Sequence, residues 1–364
     1  MHFAVIGGGP AGAVTAITLM GRGYSVGVFE KDIEPRQKIG ECLTPGANSI
    51  LSALGMLDTM ESSGHLPSVG NRAFWGNDEP IERDFLFGTK GNGWHLDRYH
   101  FEAQLINLAK SSGVKCFAGY RLCDLQRESN QWRIHLENAK QTREVEAAII
   151  VDATGRRRAI ARKYTKIHRA ILFGGAPDKL VGLAGILSTP NNSNLKDRFT
   201  VVEATKYGWC YSALLNDGRL VVTLMTDADL LPKGDRWNIL LAKAPKTQQR
   251  IIEHGGELAN PPKVQIAAGS RLERAYGQGW ISVGDCALAF DPLSSFGITS
   301  AMGSAYYAAQ AAADFLEGDD KSLITYQATL DQTWENYVSE HTEIYGIEKR
   351  WPSSPFWMRR FVGY

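Results

Sequence analysis

The first thirty residues alternate between apolar runs of strand length and a helical pattern. Residues 2–6 form one apolar run, and a helical pattern extends from Ala11 to about Arg22. Gly23 ends that helix, and a second apolar run at residues 25–29 closes on Glu30. This order predicts a strand–turn–helix–strand unit, which is typical of the start of a doubly wound parallel sheet.

The apolar pattern changes twice farther along the chain. Polar loops with scattered aromatic residues occupy residues 61–94, and a helix is predicted at residues 99–111. Short strands are then predicted at residues 115–117, 122–126, 132–136 and 144–151. Four more apolar runs, at residues 181–188, 199–204, 208–215 and 220–225, predict successive strands of an antiparallel meander. Asn216-Asp217-Gly218 predicts a hairpin turn, because glycine accepts a positive φ without steric cost.

The remaining pattern returns to the α/β type. A helix is predicted at residues 235–254, a buried strand at residues 281–285, and two further helices at about 297–316 and 323–337. No repeat or low-complexity linker separates these segments from the first ones. The meander is therefore predicted to belong to a second domain that is inserted into the first.

Composition and charge narrow the function classes. The net charge of the 364 residues is +1, which gives no reason to expect a nucleic acid or an anionic membrane as partner. No apolar run approaches the length of a transmembrane helix, and the first strand begins at residue 2, so neither a membrane span nor a signal peptide is expected. The five cysteines are far apart and form no Cys-x-x-Cys pair, which fits a reducing cytoplasm and predicts neither disulfides nor a metal site.

A glycine motif lies between the first strand and the first helix. Gly7, Gly9 and Gly12 have the Gly-x-Gly-x-x-Gly spacing, in which the glycines allow a tight turn, a close approach to a pyrophosphate and close packing of helix and strand. The helix N-terminus adds amide donors and a positive dipole end. Glu30 ends the second strand, where a carboxylate can accept hydrogen bonds from ribose hydroxyls. The combination predicts a dinucleotide site.

Two distant segments favour FAD over NAD as that dinucleotide. The run from Asp152 to Gly155 is a turn at the end of a predicted strand. Asp285 follows another strand and can bind ribityl hydroxyls, and the segment from Asp291 to Gly297 starts a long helix. Backbone N–H groups at that helix start can stabilise negative charge on a reduced flavin. A simple NAD domain needs neither segment.

Together with Arg98 in Leu96-Asp97-Arg98, these motifs resemble the p-hydroxybenzoate-hydroxylase-like FAD monooxygenases. Gly40-Glu41-Cys42-Leu43 with residues 291–297 resembles their tryptophan-halogenase branch. The resemblance implies an α/β fold: a Rossmann-like FAD-binding domain of the glutathione-reductase type with an inserted antiparallel-sheet substrate domain. The FAD-binding domain would comprise residues 1–60, 96–160 and 265–345, and the substrate domain residues 61–95 and 161–264. A C-terminal aromatic and basic tail would comprise residues 346–364.

The motifs and the resemblance together predict the FAD contacts. Arg36, Arg98 and the loop Glu41–Leu43 are implied to contact the cofactor, with the strand around Leu122 beside its adenine. The full predicted set is Gly7, Gly9, Pro10, Ala11, Gly12, Ala13, Glu30, Lys31, Arg36, Glu41, Cys42, Leu43, Arg98, Leu122, Asp152, Gly155, Asp285, Pro292, Ser295, Phe296, Gly297 and Ile298.

The motifs for halogenation are missing. Halogenases of this branch carry Trp-x-Trp-x-Ile-Pro and an active-site lysine, whereas the corresponding segment here, residues 72–77, contains no lysine, and Lys90 lies in a glycine-rich stretch that does not match. A true halogenase is therefore not expected.

The Gly-Glu-Cys-Leu loop, Trp75-Gly76 and the strand Gly208–Ser212 resemble the LodB/GoxB-like flavoproteins. That resemblance implies oxygenation of a tryptophan ring in a precursor quinoprotein amino-acid oxidase, during biogenesis of its cysteine tryptophylquinone. Two alternatives stay open: a flavin-bearing chaperone for that precursor with little turnover, and an FAD hydroxylase of a small aromatic substrate or a lipid-type flavin reductase. No second glycine motif is present, so electrons would come from transient NAD(P)H or from a separate reductase.

Several side chains are candidates for a substrate cavity. Trp75, Trp94, Trp209 and Tyr211 are proposed as lining residues, although each is also an ordinary core or sheet aromatic. His65 and His95 are either proton carriers or hydrogen-bonded structural histidines, and Glu203 faces either the cavity or solvent. No catalytic residue follows from the pattern itself.

The C-terminal segment interleaves aromatic residues with arginines between residues 348 and 361. Such a composition suits a docking surface for a protein partner, and it equally suits a tail that folds over the protein's own core.

Overall fold

A computed structural model of the protein describes residues 1–36, 38–85, 87–172, 175–189 and 196–360. The strands of these residues are β1 (Phe3–Ile6), β2 (Val26–Glu30), β3 (Cys42–Leu43), β4 (Leu66–Ser68), β5 (Gly70–Phe74), β6 (Ile81–Asp84), β7 (Gly93–His95), β8 (Lys115–Ala118), β9 (Arg121–Glu128), β10 (Gln131–Glu137), β11 (Thr142–Ala147), β12 (Ile149–Asp152), β13 (Ile167–Arg169), β14 (Leu180–Ser188), β15 (Phe199–Thr205), β16 (Gly208–Leu214), β17 (Leu220–Asp227), β18 (Glu257–Leu258), β19 (Lys263–Ile266), β20 (Ser270–Leu272), β21 (Tyr276–Gly277), β22 (Trp280–Ser282) and β23 (Leu288–Ala289). The α-helices are α1 (Pro10–Gly21), α2 (Asn48–Ala53), α3 (Arg98–Ser111), α4 (Arg236–Leu241), α5 (Pro245–His254), α6 (Gly297–Leu316), α7 (Lys321–Ile347) and α8 (Pro355–Met358).

The first sheet has the strand order β21-β22-β12-β1-β2-β8, and all neighbours except β21 and β22 are parallel. Its central strands β1 and β12 are buried throughout, because helices such as α1, α3 and α6 pack against the sheet. The alanine-rich faces of α1 and α6 meet in this core. The predicted Rossmann-like unit is confirmed.

The second sheet contains eight strands, with β18-β14-β17-β16-β15-β5-β6 in order and β19 beside β14. The four predicted strands are present, but they do not form a simple meander. β14 pairs with β17 rather than with its neighbour in sequence, β15, so only β15, β16 and β17 follow one another across the sheet. The hairpin turn at residues 216–218 joins β16 to β17, and Gly218 adopts a φ of 84° there.

The prediction of one continuous helix over residues 235–254 is wrong. The structure divides it into α4 and α5 with a break before Pro245, which occupies the first turn of α5. Proline lacks an amide hydrogen and its ring clashes with the preceding turn, so it starts a helix but does not continue one.

Smaller sheets connect the two large ones. β3 lies in the predicted FAD-binding part and pairs with β7, which lies in the predicted substrate part. β7 also pairs with β4. β13 likewise pairs with β20 across the predicted boundary. The predicted insertion fits this arrangement, and the domain boundaries themselves stay a prediction. No helix in the described part of the chain is long and apolar enough to cross a bilayer.

Candidate functional site

A cavity of about 680 Å³ lies between the carboxyl ends of the parallel strands and one face of the eight-stranded sheet. Its floor includes the glycine turn after β1, the end of β2 and the turn after β12. Its opposite wall is built from β14 to β17 and β19. Ligands of open α/β sheets bind beyond the carboxyl ends of the strands, so the position of the cavity is the expected one.

The glycine turn is shaped to receive a bound group at one position and to pack tightly at two others. Gly7 has a φ of 110°, and a Cβ there would lie 2.3 Å from the Ala153 carbonyl oxygen. A Cβ on Gly12 would lie 1.9 Å from the Gly7 carbonyl oxygen. A Cβ on Gly9 meets no atom within 4 Å, because Gly9 faces the open cavity. The turn therefore leaves room for a pyrophosphate beside Gly9 at the N-terminus of α1.

Glu30 holds the neighbouring loop. Its carboxylate accepts hydrogen bonds from the backbone N–H of Gly8 at 2.7 Å and of Asp32 at 3.1 Å. Glu30 also lines the cavity, as Lys31 does. The carboxylate is thus fixed at the end of β2, where a ribose hydroxyl can reach it.

Arg98 connects α3 with the loop before β3. Its guanidinium donates to the Ile39 carbonyl at 2.8 Å and to the Gly40 carbonyl at 3.1 Å, and it forms an ion pair with Glu102 at 2.5 Å. Lys38 bonds the other oxygen of Glu102 at 2.6 Å. Arg98, Lys38 and Glu102 all line the cavity, so this network fixes cationic groups at its edge.

The turn after β12 is organised by Asp152. Its buried carboxylate accepts hydrogen bonds from Thr154, Ile160 and Ala161 at distances between 2.6 and 3.1 Å. These bonds occupy both carboxylate oxygens, which explains why Asp152 supports the turn and does not line the cavity. Thr154 and Gly155 of the same turn do line it.

Asp285 and Asp291 flank the cavity near the start of α6. Asp285 lines it and lies 3.4 Å from the Arg156 guanidinium. Asp291 is buried, and its carboxylate accepts hydrogen bonds from the Leu293 N–H and the Tyr345 hydroxyl, both at 2.8 Å. Ser295, two residues before α6, adopts a left-handed conformation. These bonds position the turn that the flavin ring is predicted to contact.

The sheet wall of the cavity is apolar and aromatic. Val202 of β15, Trp209 and Tyr211 of β16, and Met225 of β17 line it together with Gly182 of β14. Trp209 and Tyr211 are two residues apart, so they share one face of the strand. The indole nitrogen of Trp209 donates to the Tyr345 hydroxyl at 2.8 Å, which fixes the ring orientation. An aromatic substrate ring fits such a wall.

Glu41 lies buried behind this wall, and its carboxylate oxygens make no hydrogen bond within the described residues. Burial raises the pKa of Glu41 above its ordinary value, against the lowering influence of Tyr211 and Arg98. Burial likewise raises the pKa of Tyr211 and of Cys42. Both are therefore in their neutral forms at physiological pH.

The two candidate histidines do not reach the cavity. In His95, Nδ1 lies 2.9 Å from the Leu214 carbonyl and Nε2 lies 2.8 Å from the Thr200 hydroxyl. Burial lowers the pKa of His95 to about 4. His65 bonds Gln104 at 3.0 Å, and burial lowers its pKa as well. Both are structural histidines in this fold, and neither is a cavity-lining proton carrier.

Glu203 faces neither the cavity nor solvent. It is buried on the other side of β15, where its carboxylate accepts hydrogen bonds from the backbone N–H groups of Lys246 and Thr247 at 3.0 and 2.7 Å. These residues form the first turn of α5, so Glu203 satisfies free amides at a helix N-terminus.

The structure brings most of the predicted FAD contacts to this cavity: Gly7, Gly9, Pro10, Ala11, Glu30, Lys31, Cys42, Arg98, Leu122, Gly155, Asp285, Pro292, Ser295, Gly297 and Ile298. Seven predicted contacts do not line it: Gly12, Ala13, Arg36, Glu41, Leu43, Asp152 and Phe296. Gly12, Ala13 and Leu43 are buried in packing, and Arg36 points to solvent in an ion pair with Asp32. Phe296 precedes α6 with an exposed ring that contacts Phe290.

Two of the four proposed cavity aromatics are placed elsewhere. Trp75 is buried against Tyr345 and Trp357, and its indole nitrogen donates to the Ile344 carbonyl at 2.8 Å. Trp94 donates to Asn48 at 2.9 Å within the hydrophobic core that packs against β1 and β2. Both indoles are engaged in packed cores, whereas Trp209 and Tyr211 do line the cavity.

The C-terminal segment folds over the protein's own core. Phe356 and Trp357 of α8 are fully buried, and the Trp357 indole nitrogen donates to the Thr205 carbonyl at 2.8 Å. Arg360 forms buried ion pairs with Asp178 and Asp227. The docking alternative therefore does not describe the segment up to residue 360, and residues 361–364 lie outside the described residues.

Sequence reasoning missed several lining residues. Tyr120 and Arg121 precede or begin β9, Arg156 follows the turn after β12, and Gly182 and Met225 lie in the wall strands. Arg156 donates to the Ala268 and Phe290 carbonyls, both at 2.5 Å. The sequence indicates that Arg156 is near the cofactor only through its position directly after the predicted contact Gly155. Gly182 and Met225 carried no such signal, because β14 is buried along most of its length and β17 along all of it, so the pattern cannot tell one face from the other.

Comparison with known proteins decides the family. Residues 77–360 match the tryptophan halogenase family. The chain is also 31% identical over 374 residues to LodB of Marinomonas mediterranea, described as an FAD-dependent oxidoreductase, across 98% of this chain and 95% of LodB. The chain belongs to the tryptophan halogenase family.

Two solved structures share the fold. The myxobacterial chondrochloren halogenase CndH superposes with a TM-score of 0.90 at 22% identity, covering 100% of this chain and 86% of CndH. The peptidyl tryptophan dihydroxylase QhpG superposes with a TM-score of 0.77 at 23% identity, covering 99% of this chain and 78% of QhpG. This tryptophan halogenase family member is a flavin-dependent oxidoreductase whose cofactor is FAD, as predicted.

The residues present fit that cofactor. The open space at Gly9, the fixed carboxylate of Glu30 and the cations Lys38 and Arg98 suit a pyrophosphate and a ribose. The same cavity continues to the start of α6, where the ring system would meet the sheet wall. FAD would supply two-electron redox chemistry and activation of dioxygen there.

Proposed function

We propose that this protein is an FAD-dependent monooxygenase that oxygenates a tryptophan side chain of a precursor protein, during biogenesis of a cysteine tryptophylquinone cofactor. The observation that carries the proposal is the continuity of one cavity from the nucleotide turn at Gly9 to an aromatic wall at Trp209 and Tyr211. A ring held against that wall lies beside the flavin end of the cofactor site.

The proposal agrees with what is known of two relatives. LodB is described as an FAD-dependent oxidoreductase. QhpG is a peptidyl tryptophan dihydroxylase that is essential for biogenesis of a tryptophylquinone cofactor. We extend the substrate class of QhpG to this chain because the wall is built for an aromatic ring and because a halogenating lysine is missing from it. Among the described lining residues, the lysines Lys31 and Lys38 lie at the nucleotide end of the cavity.

The reaction balances with dioxygen as oxidant and NAD(P)H or a separate reductase as two-electron donor. One oxygen atom of dioxygen replaces a hydrogen on the indole ring as a hydroxyl group, and the other leaves as water. The two electrons come from the reduced donor, and one proton is taken up per turnover when NAD(P)H is the donor. The chain's own residues position the ring, exclude water and fix the charges around the flavin.

The decisive experiment uses the FAD-loaded protein, its precursor oxidase and a reductant under isotopically labelled dioxygen. The expected result is incorporation of labelled oxygen into one tryptophan-containing peptide of the precursor, seen by mass spectrometry. A stable complex without a mass change would favour the chaperone alternative. Hydroxylation of a free phenol or indole, with the precursor untouched, would favour the small-molecule alternative. Either result would overturn the proposal.

A wall variant tests where the ring binds. Val202→Phe fills the space in front of the sheet, and we expect loss of precursor oxygenation with unchanged FAD content, because Val202 lines the wall side of the cavity. Val145→Phe on β11, outside this cavity, serves as a variant with the same change in side-chain size. Oxygenation at the normal rate in Val202→Phe would show that the substrate ring binds elsewhere.

A further inference from the structure

A short series of hydrogen bonds leads away from the cavity wall at the start of α6. Asp291 lines the cavity, and its Oδ2 accepts a hydrogen bond from the Tyr345 hydroxyl at 2.8 Å. The same oxygen lies 3.2 Å from Nε2 of His341. Both partners belong to α7, which is otherwise far from the nucleotide turn in sequence.

The outer end of this series reaches a second, separate pocket. His341 lines a small pocket of about 20 Å³ together with Ala170, Leu172, Thr342 and Arg360. That volume is enough for one water molecule, which needs roughly 10–15 Å³. The His341 side chain is 12% exposed, while Asp291 is 1% exposed. The imidazole therefore stands between a surface pocket and a carboxylate at the cavity wall.

The charges around this pair favour an ionised Asp291. Burial alone would raise the pKa of Asp291, but the hydrogen bond and charge of His341, with the bonds from Leu293 and Tyr345, lower it below its ordinary value. Other groups facing the pair are the hydroxyl of Tyr337, which accepts a hydrogen bond from the Asp291 N–H, and the buried ion pair of Arg360 and Asp178. The Arg360 charge is thus balanced by its own carboxylate partners.

The chemistry of the cavity requires protons there. FAD held in this cavity would pass two electrons to dioxygen, and formation of hydrogen peroxide by the reduced, anionic cofactor would consume one proton that has to be delivered to the cavity. The proposed oxygenation also consumes a proton per turnover. A substrate protein seated at the cavity mouth would hinder supply from bulk water, so a path through the protein becomes important.

We propose that His341 and Asp291 form a proton path between the surface pocket and the flavin end of the cavity. The imidazole takes a proton from water in the pocket at one ring nitrogen and passes one from Nε2 to Oδ2 of Asp291. The carboxylic acid then releases its proton into the cavity, so that one proton enters and one leaves without change in the redox state of the protein. Tyr345 is a positioning residue, because its hydroxyl holds Oδ2 toward His341 and bonds Trp209.

The proposal rests on flavin oxidation in this cavity but not on the identity of the tryptophan substrate. It is therefore tested without the precursor, by following reoxidation of the reduced FAD-loaded protein under air. We expect His341→Gln to slow reoxidation by about tenfold or more, since a positioned acid–base group contributes about 10²–10⁴-fold. The dependence on pH and the solvent deuterium isotope effect should change with it, and added imidazole should restore part of the rate. His135→Gln, at a half-buried histidine of β10 outside the cavity, is the control.

A second measurement separates a proton path from simple loss of structure. In flavin-free protein, carbon NMR of the Asp291 carboxyl should show that its pKa rises in His341→Gln. An unchanged Asp291 pKa, or unchanged reoxidation kinetics and pH profile in a variant that keeps its FAD, would overturn the path. If His341→Gln slows reoxidation as expected but the wild type does not oxygenate the precursor, the proton path stands and the proposed function alone is overturned.

Discussion

The guanidinium of Arg360 lies 2.7 Å from the carboxylate of Asp227, and both side chains are almost completely buried. Asp227 ends β17, whose neighbouring residue Met225 lines the cavity, while Arg360 belongs to the C-terminal segment. A second carboxylate, that of Asp178, lies 3.1 Å from the same guanidinium. The C-terminal segment is therefore bound to the strand that forms the cavity wall.

Removal of this cation should destabilise the fold strongly. In Arg360→Met, the buried carboxylate of Asp178 loses its ion-pair partner, and that of Asp227 keeps only the pair with Arg359 at 2.6 Å. Breaking a buried ion pair from one side costs about 3–5 kcal/mol. The free energy of unfolding is measured by denaturant titration monitored by tryptophan fluorescence. Arg162→Met, at an exposed arginine, is the control and should change stability by less than about 0.5 kcal/mol. Equal stability of the two variants would contradict a structural role for the C-terminal segment.

The glycine turn yields a matched pair of alanine variants. Gly9 has a φ of −70° and free space for a Cβ, so Gly9→Ala should fold normally but bind FAD at least about tenfold more weakly, a loss of about 1.4 kcal/mol. Gly12→Ala places a Cβ 1.9 Å from the Gly7 carbonyl oxygen, so it should destabilise the flavin-free protein by about 1–3 kcal/mol. FAD titration and thermal unfolding of the flavin-free proteins separate the two effects. Normal FAD affinity in Gly9→Ala would exclude a pyrophosphate beside this residue.

The sequence predicts best where one residue type has a single physical reason to be present. Gly7 and Gly12 are such residues, since their neighbours leave no space for a Cβ, and the turn was predicted together with its strand and helix. Glu30 at the end of β2 is another. The composite FAD site could be predicted because its parts are short and local, even though they are far apart in sequence.

The cavity wall could be predicted only in part, because its residues are defined by the pairing of distant strands. β16 is buried along its whole length, so hydrophobicity does not distinguish Trp209 and Tyr211 from Cys210. Trp75 and Trp94 are tryptophans like Trp209, yet they lie in packed cores and not at the cavity. The C-terminal arginines also gave no sign of their partners, since Asp178 and Asp227 are more than a hundred residues away.

Glu41 should make stability depend on pH in the direction opposite to an ordinary carboxylate. Its pKa is raised above 4.5 by burial, so the folded state holds this proton more tightly than the unfolded state does. Its contribution to stability is present below pH 4.5 and is lost as the pH rises toward the pKa of the folded state. Glu41→Gln, which resembles the protonated acid, should remove this loss of stability.

Denaturant unfolding at a series of pH values measures the unfolding free energy of this variant and of the wild type, with the exposed Glu61→Gln as control. A wild-type pH dependence that persists in Glu41→Gln would show that Glu41 is ionised in the fold.

His95 should make the fold sensitive to acid. Burial lowers its pKa from an ordinary 6.5 to about 4, while both ring nitrogens have partners in the neutral form. Above pH 6.5 the imidazole is neutral in both states and has no effect on stability. As the pH falls from 6.5 toward 4, the unfolded chain binds a proton that the folded one does not, so the unfolding free energy decreases, by about 3 kcal/mol for a shift of this size.

A neutral replacement tests this effect directly. In His95→Gln the stability at pH 7 should fall, because a well-packed ring is lost, but its decrease between pH 6.5 and 4 should be smaller than in the wild type. The difference between the two curves, measured by urea unfolding at matched ionic strength, isolates the contribution of this one side chain. His135→Gln, at a half-buried surface position, is the control, and its curve should follow that of the wild type. Parallel curves for His95→Gln and the wild type would mean that His95 can take up a proton without leaving its two partners, the Leu214 carbonyl and the Thr200 hydroxyl.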